Sequence, residues 1–284
     1  MKKIIYLMLS ALIVLGVALA IAGSSGEYAA EKLFYRAMKN NEKIAINPDV
    51  APPKLLETVE NDLKKLLKKY PNVNIARDAS MALAEFYIVN KNYDKALATL
   101  NTMIKKYAKD EAVLSAAIFL KGRAYELQGN WPKALKEYET LRDKYTQTQI
   151  GMQIPIYIAK YYEGKGRAVD AKAAYAQAEQ FYQRLERENS GKLLGYGASV
   201  FLIQTYILSE DYEQAGKVLE ETLKKYMSQI AITQLLPQAE NIFVKKLNRP
   251  EKAVEIYKNV IEKVKNEKFV KSVKNRIAVL EAKK

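Results

Sequence analysis

Few residues in this sequence could take part in chemistry. The chain of 284 residues contains no His and no Cys, so the commonest general base and all thiolate chemistry are missing. Ser190-Gly191-Lys192-Leu193 has part of the pattern of a phosphate-binding loop. That loop requires Gly at the position of Glu186 and Ser or Thr at the position of Leu193, so the match fails.

Acidic residues that are close in sequence are the other candidates for catalysis. Glu220 and Glu221 are adjacent, and Glu186 and Glu188 are two residues apart. Both groups lie among Lys and Arg in charge-alternating stretches, a pattern typical of solvated helix faces with ion pairs. The sequence therefore predicts that the protein is not an enzyme and that it binds no metal and no cofactor.

A phrase that recurs at nearly constant spacing organises most of the chain. In its clearest copies an apolar stretch ends in Lys or Arg followed by Tyr. The marked positions are Tyr70, Tyr107, Tyr145, Tyr182 and Tyr226, with Val264 where the next tyrosine is expected. The period is about 37 residues, except for one longer interval between Tyr182 and Tyr226. A period of this length predicts an array of helical repeats that bury their apolar faces by stacking.

One complete repeat can be read in residues 115–145. Gly122 lies three residues before Tyr125, a turn at Gly129-Asn130 leads into Trp131, and Ala134 and Tyr138 lie on one face of the second helix. Small residues allow two helices to approach closely, and the aromatic residues fill the remaining space. The sequence predicts a helix, a turn and a second helix here.

These residue types and spacings resemble the tetratricopeptide repeat (TPR). The resemblance covers nearly all of residues 27–265 and implies an all-α right-handed superhelix of about six helix pairs. We place the pairs at 27–70, 76–108, 112–146, 150–189, 192–228 and 231–265, followed by a capping helix over 267–282. The fourth pair is irregular, because its second helix continues through residues 183–188.

The period and the Lys-Tyr repeat ends also resemble TPR proteins of the bacterial cell envelope. Examples are the TPR domains of the outer-membrane β-barrel assembly lipoprotein, of the periplasmic cell-division coordinator and of single-span TPR proteins associated with the translocon. Two departures are visible. The missing Cys excludes a lipoprotein anchor, and no coiled-coil segment precedes the repeats.

Residues 1–22 form the one long apolar segment. Lys2 and Lys3 precede an uncharged stretch that runs from Ile4 to Ala22. Ala20-Ile21-Ala22 fits the small-x-small rule for signal-peptide cleavage, whereas the length of the stretch approaches the roughly 20 residues of a membrane span. Both a cleaved signal peptide and a retained anchor stay open. Either predicts export, with the later residues on the periplasmic side, anchored to the inner membrane or released after Ala22.

The domain organisation follows from these segments. Residues 23–26 form a short linker, residues 27–266 the TPR solenoid and residues 267–284 a basic capping helix. In TPR superhelices the first helix of each pair lines the concave surface. The resemblance therefore implies a groove for a peptide segment, formed by Met81, Glu85, Phe119, Arg123, Ile156, Lys160, Val200 and Gln204. An apolar row beside a polar row with two adjacent cations would suit a segment with apolar anchors and some acidic residues.

Two functions remain after enzymes are set aside. The first is a scaffold that binds proteins of the cell envelope through this groove, and the second is a module that binds anionic lipid headgroups or acidic polymer through its basic surface. The formal net charge is +14, and residues 245–284 hold 13 Lys and Arg against 5 Asp and Glu. We expect no nucleic acid among the partners, because the N-terminus predicts export. The sequence does not define an oligomeric state.

Overall fold

The computed structural model describes residues 26–46, 50–226 and 229–282. Within this part the chain is all-α, as predicted, with thirteen α-helices and no strand. The helices are α1 Gly26–Ile46, α2 Pro53–Lys69, α3 Ile75–Val89, α4 Tyr93–Lys106, α5 Glu111–Leu127, α6 Trp131–Lys144, α7 Gln149–Gly164, α8 Ala168–Glu188, α9 Leu193–Leu208, α10 Tyr212–Lys225, α11 Gln229–Ala239, α12 Pro250–Ile261 and α13 Glu267–Glu281. A π-helical segment, Glu240–Lys246, continues α11.

The predicted apolar segment 1–22 lies outside the described residues. Among the described helices, none has both the length and the apolar character needed to cross a membrane.

The six predicted helix pairs coincide with the observed helices to within a few residues. The tyrosines of the recurring phrase follow the last residues of α2, α4, α6 and α10. The irregularity of the fourth pair is also observed, because α8 has 21 residues and continues past Tyr182 to Glu188. Some of the helices begin with a side-chain cap, such as Asp110, whose carboxylate accepts from the Val113 N–H at 3.1 Å.

The turn inside each of the last five pairs repeats one backbone conformation. The second residue after the first helix has positive φ in each case: Lys91, Gly129, Gly166, Glu210 and Asn248. The next N–H then bonds back to the helix, as from Asn130 to the Tyr125 carbonyl at 2.9 Å, which is the Schellman bond of a helix C-terminus. In the sixth pair the bond runs from Arg249 to the Phe243 carbonyl and spans one residue more. The π-helical segment accounts for the additional residue.

The packing divides the chain into two compact units, which meet in sequence at Leu141 and Arg142. In the first unit the buried side chains come from the faces of α1 to α6, with Leu63, Leu66, Leu100 and Leu141 fully enclosed. In the second unit one apolar cluster extends from α7 to α13. The predicted single superhelix over residues 27–266 stays a prediction.

The two terminal helices bury the faces that their spacing predicts. In α1, Ala30, Ala37 and Ile44 are buried. In α13, Val273 and Ile277 are buried with Leu280, while Lys268, Lys271 and Lys274 are exposed. Each terminal helix therefore covers the core of its own unit with one apolar stripe.

The close approach of α5 and α6 depends on Gly122. A Cβ atom at this position would lie 2.5 Å from Cε1 of Tyr138, a distance that requires one of the two to move. The Tyr138 side chain is fully buried and its ring centroid lies 5.9 Å from that of Trp131. The predicted roles of the small residue and of the aromatic residues in this repeat agree with the contacts.

In two successive pairs a tyrosine hydroxyl joins the two helices of the pair through a carboxylate. Tyr138 donates to Glu126 at 2.8 Å, and Tyr175, one repeat later, donates to Glu163 at 3.0 Å. Both bonds link the second helix of a pair to the first, and both partners lie twelve residues apart. Burial, reinforced by the Glu163 carboxylate, raises the pKa of Tyr175 to about 12. The tyrosine therefore stays protonated and the bond persists over the physiological pH range.

Candidate functional site

The predicted groove residues of the first unit lie on two equivalent helices. Met81 and Glu85 belong to α3, and Phe119 and Arg123 belong to α5, which are the first helices of the second and third pairs. The members of each equivalent pair are one repeat apart in sequence. Met81 is half-buried and packs against the apolar cluster of this unit, so it contributes more to the core than to the surface.

Glu85, Phe119 and Arg123 line one open cleft between α3 and α5. Its volume is about 450 Å³. We call it the α3–α5 cleft, and its lining consists of Glu85, Ile88, Val89, Lys91, Tyr93, Phe119, Leu120, Arg123 and Leu127. Apolar side chains with a few charged groups are the usual composition of a surface that binds a peptide segment.

The predicted groove does not include two apolar residues of this cleft. Val89 and Leu127 are 56% and 47% exposed, which is high for aliphatic side chains. They occupy equivalent positions in successive repeats and lie four residues beyond Glu85 and Arg123. Residues four apart share a helix face, so extension of the predicted rows by one turn would have found both.

Arg123, a cation of the cleft, is held in place by neighbouring groups. The Arg123 guanidinium donates from Nη1 to Glu126 Oε1 at 2.6 Å. The other carboxylate oxygen of Glu126 accepts from Tyr138, which is fully buried. These contacts fix Arg123 on the wall of the cleft and connect it to the core of the repeat.

Glu85 differs from Arg123 in its surroundings. Its side chain is exposed by area, but the protein atoms around the concave cleft displace water from its carboxyl, and this desolvation raises its pKa. A carboxylate that has already lost part of its hydration gains more from an incoming cation than one on an open surface does.

We expect Glu85→Gln to raise the free energy of unfolding at neutral pH by at most about 0.5 kcal/mol. Because desolvation raises the pKa in the folded chain, stability falls as pH rises from the unfolded value through the folded one. The gain of the variant should disappear below about pH 4, where both states hold the proton. Urea unfolding across pH tests this expectation, with Glu57→Gln on α2 as the surface control. If the variant were less stable than the unmodified chain at neutral pH, that result would contradict the desolvation of the Glu85 carboxylate.

The predicted groove residues of the second unit differ in the exposure of their side chains. Lys160 on α7 and Gln204 on α9 are exposed, and Val200 is half-buried. Ile156 is only 6% exposed and belongs to the apolar cluster that also contains Phe181. The expectation that Ile156 faces a partner therefore does not agree with its packing, and we remove it from the proposed contact surface.

The α3–α5 cleft offers noncovalent contacts: aliphatic and aromatic area, the cations Lys91 and Arg123, and the desolvated carboxylate of Glu85. Within the described residues, no group of three or more Asp or Glu side chains is placed to hold a metal ion.

Comparison with protein families identifies the repeats. Two family models match, both described as tetratricopeptide repeat, one over residues 57–118 and the other over residues 116–148. The chain therefore contains TPR repeats, as the spacing predicts, and the α3–α5 cleft lies within the matched region. No curated protein matches the chain.

Two solved structures are similar to the chain at low sequence identity. A tetratricopeptide repeat protein from Parabacteroides merdae is 15% identical, and the match covers 88% of this chain and 99% of that protein with a TM-score of 0.35. BtubC (BKLC) from P. vanneervenii is 14% identical, and the match covers 91% of each chain, also with a TM-score of 0.35.

Proposed function

We propose that the protein is a non-catalytic scaffold that binds a segment of another protein in the α3–α5 cleft. TPR repeats generally mediate contacts between proteins, and the cleft lies on the first helices of two such repeats. The observation that carries the proposal is the pair of exposed aliphatic side chains, Val89 and Leu127, at equivalent positions beside Phe119. Apolar side chains grouped in a concave cleft are the usual centre of an interface.

The charged side chains of the cleft indicate which charge the partner segment should carry. Arg123 is already bonded to Glu126, so an acidic group of the partner has to compete with that carboxylate. Glu85 is partly desolvated, so its carboxylate gains from an opposite charge on the partner. The segment that fits best carries apolar residues for Val89 and Leu127 and one basic residue for Glu85.

Co-purification of the full chain with its partner tests the function. A protein bound in the cleft should be recovered with the unmodified chain and lost with the double variant Val89→Asp and Leu127→Asp. These substitutions place two charges on an apolar contact surface without entering the core. Lys136→Asp on α6 is the matched control, because Lys136 is exposed on a second helix outside the cleft. Equal recovery with all three proteins would contradict the proposal.

The proposed location is the periplasmic side of the inner membrane. It rests on residues 1–22 of the sequence, which combine two lysines with the uncharged stretch from Ile4 to Ala22. A partner of the cleft would then be a protein of the cell envelope. We propose that the chain is either anchored through residues 4–22 or released after Ala22.

A phosphatase fused after Lys284 should be active, and a reporter that works only in the cytoplasm should be inactive at the same site. The reason is that Lys2 and Lys3 favour a cytoplasmic N-terminus and place the rest of the chain across the membrane. Removal of residues 1–22 from the fusion is the control, and it should abolish phosphatase activity. Activity of the cytoplasmic reporter in the full-length fusion would overturn the location.

A further inference from the structure

A second apolar groove lies in the other unit, between α11 and the capping helix α13. We call it the C-terminal groove. Its volume is about 610 Å³, and its lining consists of Ile232, Thr233, Leu236, Pro237, Glu240, Tyr257, Phe269, Ser272, Val273, Asn275, Arg276 and Val279. Val279 is 44% exposed, so an aliphatic side chain of the capping helix faces water at this place.

The charged groups inside the C-terminal groove neutralise each other. The Arg276 guanidinium donates from Nε to Glu240 Oε2 at 2.8 Å, and a second bond joins Nη2 to Oε1. Tyr257 adds a third bond to the same carboxylate at 3.3 Å. The hydrogen bonds from Arg276 lower the pKa of Glu240, so the ion pair is kept over the physiological range. The groove itself therefore presents an apolar surface without net charge.

The capping helix and the loop before it are rich in lysine. Five exposed lysines lie in this segment: Lys263, Lys265, Lys268, Lys271 and Lys274. In the part of the chain that the structure describes, none of the five has a carboxylate oxygen within 4.0 Å.

Two of these lysines are helix neighbours of residues that line the groove, and we call these two its basic rim. Lys268 lies four residues before Ser272, and Lys271 lies four residues before Asn275. Residues four apart are neighbours on a helix surface, and both Ser272 and Asn275 line the groove. Lys258, by contrast, pairs with Glu281 at 2.8 Å.

We propose that the C-terminal groove binds an acidic amphipathic segment of a partner protein. Apolar side chains of the segment would contact Phe269 and Val279, and its carboxylates would face Lys268 and Lys271. The lining residues of α13 extend from Phe269 to Val279, a distance of about 15 Å along the helix. A helical segment of about three turns has the matching length. This site lies in the second unit and is independent of the α3–α5 cleft. It prefers acidic residues in the bound segment, whereas the α3–α5 cleft prefers a basic residue.

The shape of the surface favours a peptide over a lipid headgroup as the source of the negative charge. An anionic membrane attracts lysines on any exposed surface and does not require a concave apolar groove beside them. A helix that is laid in a groove uses both features, because its apolar residues enter the groove while its acidic residues stay at the rim. Because the surface combines an apolar groove with a basic rim, we expect its ligand to be a protein segment.

A selection of peptides from a random displayed library on the full chain tests the proposal. We expect the enriched peptides to combine several Asp or Glu residues with apolar residues at helical spacing. Val279→Asp should abolish their binding, and the double variant Lys268→Glu and Lys271→Glu should weaken it about tenfold, since two rim charges are reversed. The double variant Lys105→Glu and Lys109→Glu is the control, with the same change of net charge on exposed lysines of the first unit.

Three results would overturn the proposal. One is enrichment of peptides without acidic residues, and another is binding that is the same in the rim variant and in the control. The third is an absence of peptide binding together with binding to phosphatidylglycerol vesicles that depends on Lys268 and Lys271, which would assign the rim to lipid. Phosphatidylcholine vesicles measure the part of vesicle binding that is independent of charge. None of these outcomes depends on the α3–α5 cleft.

Discussion

Gly122→Ala is expected to lower the free energy of unfolding by about 1–3 kcal/mol. The new Cβ atom would lie 2.5 Å from Cε1 of Tyr138 and 3.0 Å from two further atoms of that ring. The ring cannot move away easily, because Tyr138 is fully buried with Phe119 and Trp131 at its sides. The steric cost exceeds the gain of about 1 kcal/mol in helix propensity that Gly to Ala brings.

Gly164→Ala is the matched control for this prediction. Gly164 is also helical, at the end of α7, and a Cβ atom there would meet no other atom within 4 Å. The control variant should be as stable as the unmodified chain or slightly more stable, by up to about 1 kcal/mol. Urea unfolding of the two variants measures the difference. If both are equally stable, the close packing of α5 on α6 is not what holds this repeat together.

Phe119→Ala is expected to weaken the complex with the partner segment by about 2 kcal/mol, which is roughly thirtyfold in Kd. Phe119 is half-buried in the wall of the α3–α5 cleft, and its ring centroid lies 6.0 Å from that of Tyr138. Removal of the ring takes away aromatic contact area in the wall of the cleft. Titration calorimetry with the co-purified partner measures the change.

The free energy of unfolding of Phe119→Ala has to be measured beside its affinity. The repeat core lies behind the ring and includes Ala117 and Ala124, so we expect the variant to remain folded. Lys136→Ala on α6 is the control for a side-chain truncation outside the cleft. A variant that binds as tightly as the unmodified chain would exclude Phe119 from the interface, and a variant that is unfolded would place it in the core.

The sequence predicts the helices of this protein well for a physical reason. Each turn and each helix pair is a local arrangement, so residues such as Gly122, Gly129 and Tyr138 report it within about 34 residues. The same local signals do not specify how far neighbouring side chains close over a helix face. Ile156 has the spacing of a groove residue, yet it is buried in a cluster with Phe181 of the long helix α8.

The predicted groove overlaps the α3–α5 cleft in part. The repeat period brings Glu85 and Arg123 into one cleft together with Phe119, whereas the predicted rows end one turn before Val89 and Leu127. The C-terminal groove was not predicted, because the predicted rows end at Val200 and Gln204 on α9 and do not continue to α11 and α13, which form its walls.

The proposed binding site is tested most directly by photo-crosslinking in cells with a crosslinker placed at single positions of the full chain. Val89 and Leu127 are the positions in the α3–α5 cleft, and Lys136 and Lys105, on second helices outside it, are the controls. Our account predicts that one protein is captured from both cleft positions and that the attached peptide contains apolar residues and a basic residue. Capture of the same protein from Lys136 and Lys105 with equal yield would contradict it.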